Sequence, residues 1–217
     1  MSASQLLWTI ALMALAYLIG SIPFSYLVAR ANGVDLRKVG SGNVGAANVW
    51  RNCGFGPFLL ATAGDILKGM LPTLLALHLS DLGHMLGLRL ERLPPGAVIA
   101  IGIAAILGHT FSLFLNFKGG KAVATSTGVL LAIFPLLIPI GLIAWVVSFL
   151  ITRMSSVGSL TAAGVEMIAG TVLYVLGYLP LAYAIFIWVM VVFIVYLHRT
   201  NIQRLIAGTE NRFSRTL

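Results

Sequence analysis

Residues 117–125, Phe-Lys-Gly-Gly-Lys-Ala-Val-Ala-Thr, form a short polar island between two long apolar runs. Adjacent Gly119 and Gly120 let backbone N–H groups approach an oxyanion. Lys118 and Lys121 supply charge on either side, and a helix predicted to start just after would aim its N-terminus at the same spot. The simplest ligand for such a place is a phosphate. The stretch is not G-x-x-x-x-G-K-[ST], because Thr125 lies four residues after Lys121 and no strand signal precedes it. The plain alternative is a basic loop between membrane helices.

Three other polar segments carry similar chemistry. Residues 41–51 offer the Ser41 hydroxyl, the Asn43 and Asn48 amides, glycine backbone and the Arg51 guanidinium, a set suited to forked binding of phosphate oxygens. Its alternative is a turn-rich loop with a snorkelling arginine. Residues 153–159 contain Ser155 and Ser156, which read as caps for the next helix or as hydroxyl donors. Residues 198–204 contain His198 and Asn201, which share a face if the segment is helical. The four segments are rich in anion donors and short of carboxylates. Without a carboxylate cluster for magnesium, a nucleotide triphosphate enzyme is not expected, and neither is any metal or cofactor.

These segments must be held by membrane helices. Of the 217 residues, 59% are hydrophobic and 9% charged, and the mean hydropathy is +0.99. Ordinary soluble domains have about 25% charged residues. The repeated apolar runs therefore read as membrane spans. The net charge of +8 then reports topology and anionic lipid rather than nucleic acid, which is not expected as a partner. The single cysteine, Cys53, excludes an internal disulfide or a Cys-rich metal cluster and reads as a packing residue or an acyl-carrying thiolate. Ala14-Leu15-Ala16 faintly resembles a cleavage site, but the apolar run continues to Ala29, so a retained first helix is expected.

In order, the chain predicts helix one over residues 6–29, loosened at Gly20 and Pro23. A polar loop follows over 30–54, then helix two over 55–79, a loop over 80–95, and helix three over 96–115. Residues 122–151 are apolar but broken by Pro135 and Pro139. One helix of that length would be about 45 Å long against a core of about 30 Å. A hairpin of two short helices, four and five, keeps Lys118 and Lys121 on the same side as Arg153, as the positive-inside rule favours. Helix six then covers 157–177, helix seven 179–197, and a tail runs over 198–217 with Arg199, Arg204, Arg212 and Arg215.

The expectation is thus an all-α integral membrane protein of seven transmembrane helices, N-terminus outside and C-terminus cytoplasmic, forming one domain over residues 1–217. This topology puts all of the 14 Lys and Arg except Lys68, Arg89 and Arg92 on the cytoplasmic face. The four donor segments would converge there. Within the spans, Asp65 and Lys68 are placed to neutralise each other, and Glu166 is a functional candidate by position, with Lys68 as its guessed partner. His109 is expected in helix three, about two turns from the lysine loop, and His78 and His84 at the outer interface.

Taken together, Gly20-Ser21-Ile22-Pro23, residues 41–51, Asp65-Ile66-Leu67-Lys68-Gly69, Gly108-His109 through Thr125, and His198 to Glu210 resemble the bacterial integral-membrane acyl-phosphate:glycerol-3-phosphate acyltransferases, the PlsY family. The resemblance covers nearly the whole chain. It implies essential roles for Ser41 and Arg51, and a glycerol-3-phosphate and phosphate loop formed by Gly119, Gly120 and Lys121. It also implies that His198 and Asn201 act at the site and that Glu210 supports the structure. Ala122 departs from the family's usual glycine, Ala47 from a common threonine and Ser112 from a frequent proline. The His-x4-Asp pair of soluble-type glycerolipid acyltransferases is absent: the fifth residue after His109 is Phe114 and after His78 is Gly83.

The implied reaction transfers a fatty acyl group from acyl phosphate to the 1-hydroxyl of glycerol 3-phosphate at the inner-membrane surface, beside membrane lipid. The donor is already activated, so direct attack without an acyl-enzyme is expected. His198 or a substrate phosphate takes the proton, or His198 orients a phosphate. The competing class is a membrane transporter of phosphate or a phosphorylated solute, which would place its site near the midplane between repeated halves.

Overall fold

A computed structural model of the protein describes residues 1–213 and is all-helical there. Arg215 of the expected basic tail lies outside the described residues. The chain forms two compact units, residues 1–134 and 135–217.

In the first unit, α1 (Ala3–Ser21) starts at a capping box in which Ser2 and Gln5 satisfy each other's backbone N–H. Pro23 ends the run, and α2 (Phe24–Ala31) follows, so the expected weak point in helix one is a real break. The polar loop contains a helix that the sequence reading missed, α3 (Ala46–Cys53). After it come α4 (Phe55–Leu77), a short α5 (Leu79–Met85) inside the second predicted loop, and α6 (Pro95–Thr110). A single 3-10 turn at Leu113–Leu115 leads to the lysine loop, and α7 (Val123–Ile133) starts where the sequence predicted.

Glycines decide how these helices pack. A Cβ at Gly20 of α1 would overlap the Ala105 carbonyl of α6, and one at Gly108 of α6 would overlap the Tyr17 carbonyl of α1. The same reciprocity joins Gly69 and Gly128 across α4 and α7, which meet the carbonyls of Thr125 and Ile66. Apolar side chains gain little by facing one another rather than lipid, so close backbone approach at small residues is what drives such helices together.

In the second unit, α8 (Leu137–Thr152) packs on α9 (Ser155–Val175), and α9 on α10 (Leu181–Leu197). A 58° bend separates α10 from α11 (Arg199–Ile206). Glu166 lies against α8, where a Cβ at Gly141 would overlap its Oε1. Lys68 is instead held by Asp65 at 2.7 Å, so the guessed Lys68–Glu166 pair is corrected and the expected Asp65–Lys68 pair is found.

Among the described residues, four helices are long and apolar enough to cross a membrane, or five if the bent α10–α11 pair is one span. Pro135 separates α7 from α8, and at 11 and 16 residues both apolar helices fall below that length.

Candidate functional site

In the first unit, Asn48 organises residues 36–52. Its Nδ2 donates to the carbonyls of Leu36, Val39 and Asn43 at 3.1, 3.1 and 2.9 Å. Its Oδ1 accepts from the Ser41 N–H and the Asn52 amide. Asn48 is 2% exposed with both ends engaged, so it shapes the loop, which corrects its reading as a substrate ligand. Asn43 Oδ1 accepts from the Gly45 N–H at 2.9 Å, making the turn that leads into α3. Ser41 and Arg51 are half-buried, with Arg51 in the last turn of α3. Cys53 packs on the apolar cluster of Ala29, Leu36, Val44, Val49 and Ala61. Burial pushes its thiol up, which disfavours the thiolate and favours the packing reading.

The lysine loop folds back on the end of α6. The Gly119 N–H donates to Thr110 O at 2.9 Å and the Gly120 N–H to His109 O at 3.1 Å. Both amides are therefore engaged with backbone, which corrects the expectation that they face an oxyanion. Lys121 follows, half-buried, and Ala122 caps α7 with φ +68°. A left-handed alanine costs about 1–2 kcal/mol, which gives a physical reason for a glycine there in relatives of the PlsY type. Ser112, the other departure near this loop, donates its hydroxyl to Ser21 O at 2.5 Å and ties the loop to the end of α1.

Beneath the loop lies a buried polar cluster to which the sequence reading gave no joint role. Asp65 Oδ1 pairs with Lys68 Nζ at 2.7 Å and faces His109 Nδ1 at 3.6 Å, while Oδ2 accepts from Ser25 Oγ at 2.6 Å. Lys68 Nζ also donates to Ile22 O at 2.8 Å, a carbonyl at the break between α1 and α2. Val44 of the first donor segment and Gly119 and Gly120 of the second line the same small cavity as this cluster. Two of the four donor segments thus meet in the first unit.

The other two meet in the second unit around Glu210. Its Oε1 accepts from Ser156 Oγ at 2.7 Å and Asn201 Nδ2 at 2.6 Å, and its Oε2 from Arg204 Nε at 2.7 Å. Burial pushes this carboxyl up, but the hydrogen bonds from Arg204, Asn201 and Ser156 outweigh it and hold it below the usual carboxylate range. The support role implied for Glu210 therefore has a visible basis, and Arg204 was missed. The expected side-chain cap is not found: Met154 occupies the cap of α9, with no side-chain hydrogen bond, and Ser156 serves Glu210 instead. His198 sits at the bend, 4% exposed, with Nδ1 at 2.8 Å from Ile194 O. A carbonyl only accepts, so Nδ1 carries the proton and Nε2 has the lone pair in the neutral ring.

The sequence model of a family described as glycerol-3-phosphate acyltransferase matches residues 10–208. A glycerol-3-phosphate acyltransferase from Roseiflexus sp. (strain RS-1) is 60% identical over 207 residues, covering 95% of this chain and 96% of the relative. One from Thermus thermophilus is 42% identical, covering 94% of each chain. The fold is similar to the crystal structure of PlsY (YgiH), an integral membrane glycerol 3-phosphate acyltransferase, in its glycerol 3-phosphate form. The TM-score is 0.81 at 38% identity, with 95% of this chain and 96% of that one covered.

Proposed function

This chain belongs to the glycerol-3-phosphate acyltransferase family, and from that premise we propose that it moves a fatty acyl group from acyl phosphate to the 1-hydroxyl of sn-glycerol 3-phosphate. The products are 1-acyl-glycerol 3-phosphate and inorganic phosphate. The protein is an integral membrane acyltransferase of phospholipid synthesis. Seven spans in one domain, with the N-terminus outside and the active face toward the cytoplasm of the bacterial inner membrane, belong to the same proposal. The distribution of Lys and Arg supports that orientation.

Acyl phosphate is a mixed anhydride and needs no further activation. The hydroxyl oxygen attacks the acyl carbon, the new ester C–O bond forms, the acyl C–O bond to phosphate breaks, and phosphate departs with the electron pair. The protein's task is proximity and neutralisation of two dianions. Arg51 and Lys121 supply charge to phosphate oxygens, and Ser41 a hydroxyl donor. His198 Nε2 takes the hydroxyl proton, and Asn201 orients substrate one turn away. Asn43, Asn48 and the Gly119–Gly120 turn hold the loops in shape, Ser156 is given to Glu210, and Ser155 supplies a further hydroxyl to substrate.

The observation that carries this reading is the 2.8 Å contact of His198 Nδ1 with the Ile194 carbonyl, which fixes the ring in a segment the family resemblance marks as active. The transporter reading drew on intramembrane charge, and the pairing of Asp65 with Lys68 removes much of that support. The test is turnover on purified protein in detergent with palmitoyl phosphate and glycerol 3-phosphate. Wild type is expected to form lysophosphatidate, and Lys121→Ala and Arg51→Ala to lose it. No product, with labelled glycerol 3-phosphate crossing liposomes, would favour transport.

A further inference from the structure

We infer that His109, anchored by Asp65 and Lys68, is a positioning residue for the turn that presents Lys121. Its ring is the floor on which Gly120 rests. The inference rests on the reading of Lys121 as a phosphate ligand.

The first support is the reason for the two glycines. Neither Gly119 nor Gly120 is among the described residues with positive φ, so conformational freedom does not require them. Space does. A Cβ at Gly120 would overlap His109 Nε2, and one at Gly119 would overlap the His109 carbonyl oxygen. With both amides given to the end of α6, the glycines act through close approach to His109.

The second support is what fixes the ring. His109 is 7% exposed, and Asp65 and Lys68 are each 2% exposed. Nδ1 faces Asp65, Asp65 holds Lys68 and Ser25, and Lys68 reaches the Ile22 carbonyl. A path of close polar contacts thus runs from the break in the first helix to Asp65 of α4, whose Oδ1 lies 3.6 Å from the His109 ring that underlies the residue before Lys121. Asp65 and Lys68 cancel in charge, so the ring lies beside a locally neutral pair. Such a path sets where the Lys121 backbone begins without touching substrate. A shift of about 1 Å at a positioning contact can cost up to about 100-fold in rate.

A double-variant cycle tests this: Gly120→Ala, His109→Ala and both together, with KM measured for each substrate. Each single variant is expected to raise KM for glycerol 3-phosphate by about 10-fold. The pair is expected to be no worse than the poorer single variant, because removing the ring makes room for the added methyl. KM for the acyl donor is expected to stay within about twofold, since a local shift differs from general loss of fold. His109→Gln, which keeps a polar group toward Asp65, is expected to recover part of the loss.

Multiplicative losses in the pair, or an equal rise in both KM values, would overturn the inference. If Gly120→Ala alone does not accumulate as folded protein, recovery of folded protein in the double variant reports the same contact, and lack of recovery overturns it. A working wild type with a multiplicative cycle defeats this inference alone. A wild type that forms no product defeats the donor assignment, and the cycle is then scored on glycerol 3-phosphate binding by calorimetry.

Discussion

Replacing Glu210 tests the second unit most directly. In Glu210→Ala the hydroxyl of Ser156 and the amide of Asn201 both lose one buried acceptor oxygen. Hydrogen bonds to a charged partner contribute about 1.5–3 kcal/mol each. The Arg204 pair adds less, about 0.5–1 kcal/mol, because that side chain is 32% exposed. Because the three contacts share one carboxylate and do not add fully, the expected cost is about 3–5 kcal/mol, the range for breaking a buried ion pair. For a chain of this size that lowers Tm by about 6–20 °C.

Glu210→Gln keeps Oε1 as an acceptor for both donors and loses charge assistance and the Arg204 pair. Neutral hydrogen bonds are about half as strong, so the glutamine variant is expected to lose about half as much Tm as the alanine variant. The assay is thermal unfolding in one detergent, with lysophosphatidate formation measured below both transitions. If glutamine and alanine lower Tm equally, the buried Oε1 acceptor is not what matters. If neither moves Tm by about 2 °C, the hub holds nothing. The sign of the pH dependence follows from the direction of the shift. The folded carboxyl titrates below its ordinary value of 4.5, so its stabilisation is present above that pH and is lost as pH falls through the lower folded value.

Three other outcomes are expected. His198→Ala lowers kcat by about 100- to 10,000-fold with KM nearly unchanged, and a pure rise in KM would refute the base assignment. Gly128→Ala drives a methyl into the Ile66 carbonyl and costs about 1–3 kcal/mol, or a Tm loss of about 2–12 °C; Gly56→Ala, with open space around it, serves as the control, and equal Tm values would refute close backbone packing. The Asp35 carboxyl, held at about 2 by its hydrogen bond from Arg37, keeps that pair intact above 3.8 and loses it as pH falls through about 2. Arg37→Ala should return its titration in NMR spectra toward 3.8, and no movement would refute the pairing.

Periodicity and punctuation made the helix ends readable. Pro23 and Pro135 marked breaks, and α7 begins right after the lysine loop. The i, i+3 spacing of Asp65 and Lys68 announced their pair. The short helices α3, α5 and α11 sit in segments too polar to stand out against spans of lipid-soluble residues. The contacts that matter at the sites join distant positions: Ser25 with Asp65, Lys68 with Ile22, Gly120 with His109, and Ser156 with Glu210. No local pattern encodes such pairs. The glycines of the lysine loop were misread for the same reason, since two adjacent glycines look alike whether they admit an anion or an imidazole. Family resemblance supplied Glu210, whereas Asn48 needed the structure, because an asparagine in a polar loop gives no sign that it faces inward.

The engagement of Asn48 has a kinetic consequence. One side-chain nitrogen closes a loop through three carbonyls that no regular element holds. Losing the one amide releases all three ties together and leaves local turn bonds such as those of Lys38 to Asp35 and Gly42 to Val39. Segment 36–43 should therefore open as a single cooperative unit, with its backbone amides exchanging with solvent at a common rate. Asn48→Ala is expected to speed that exchange across the whole segment.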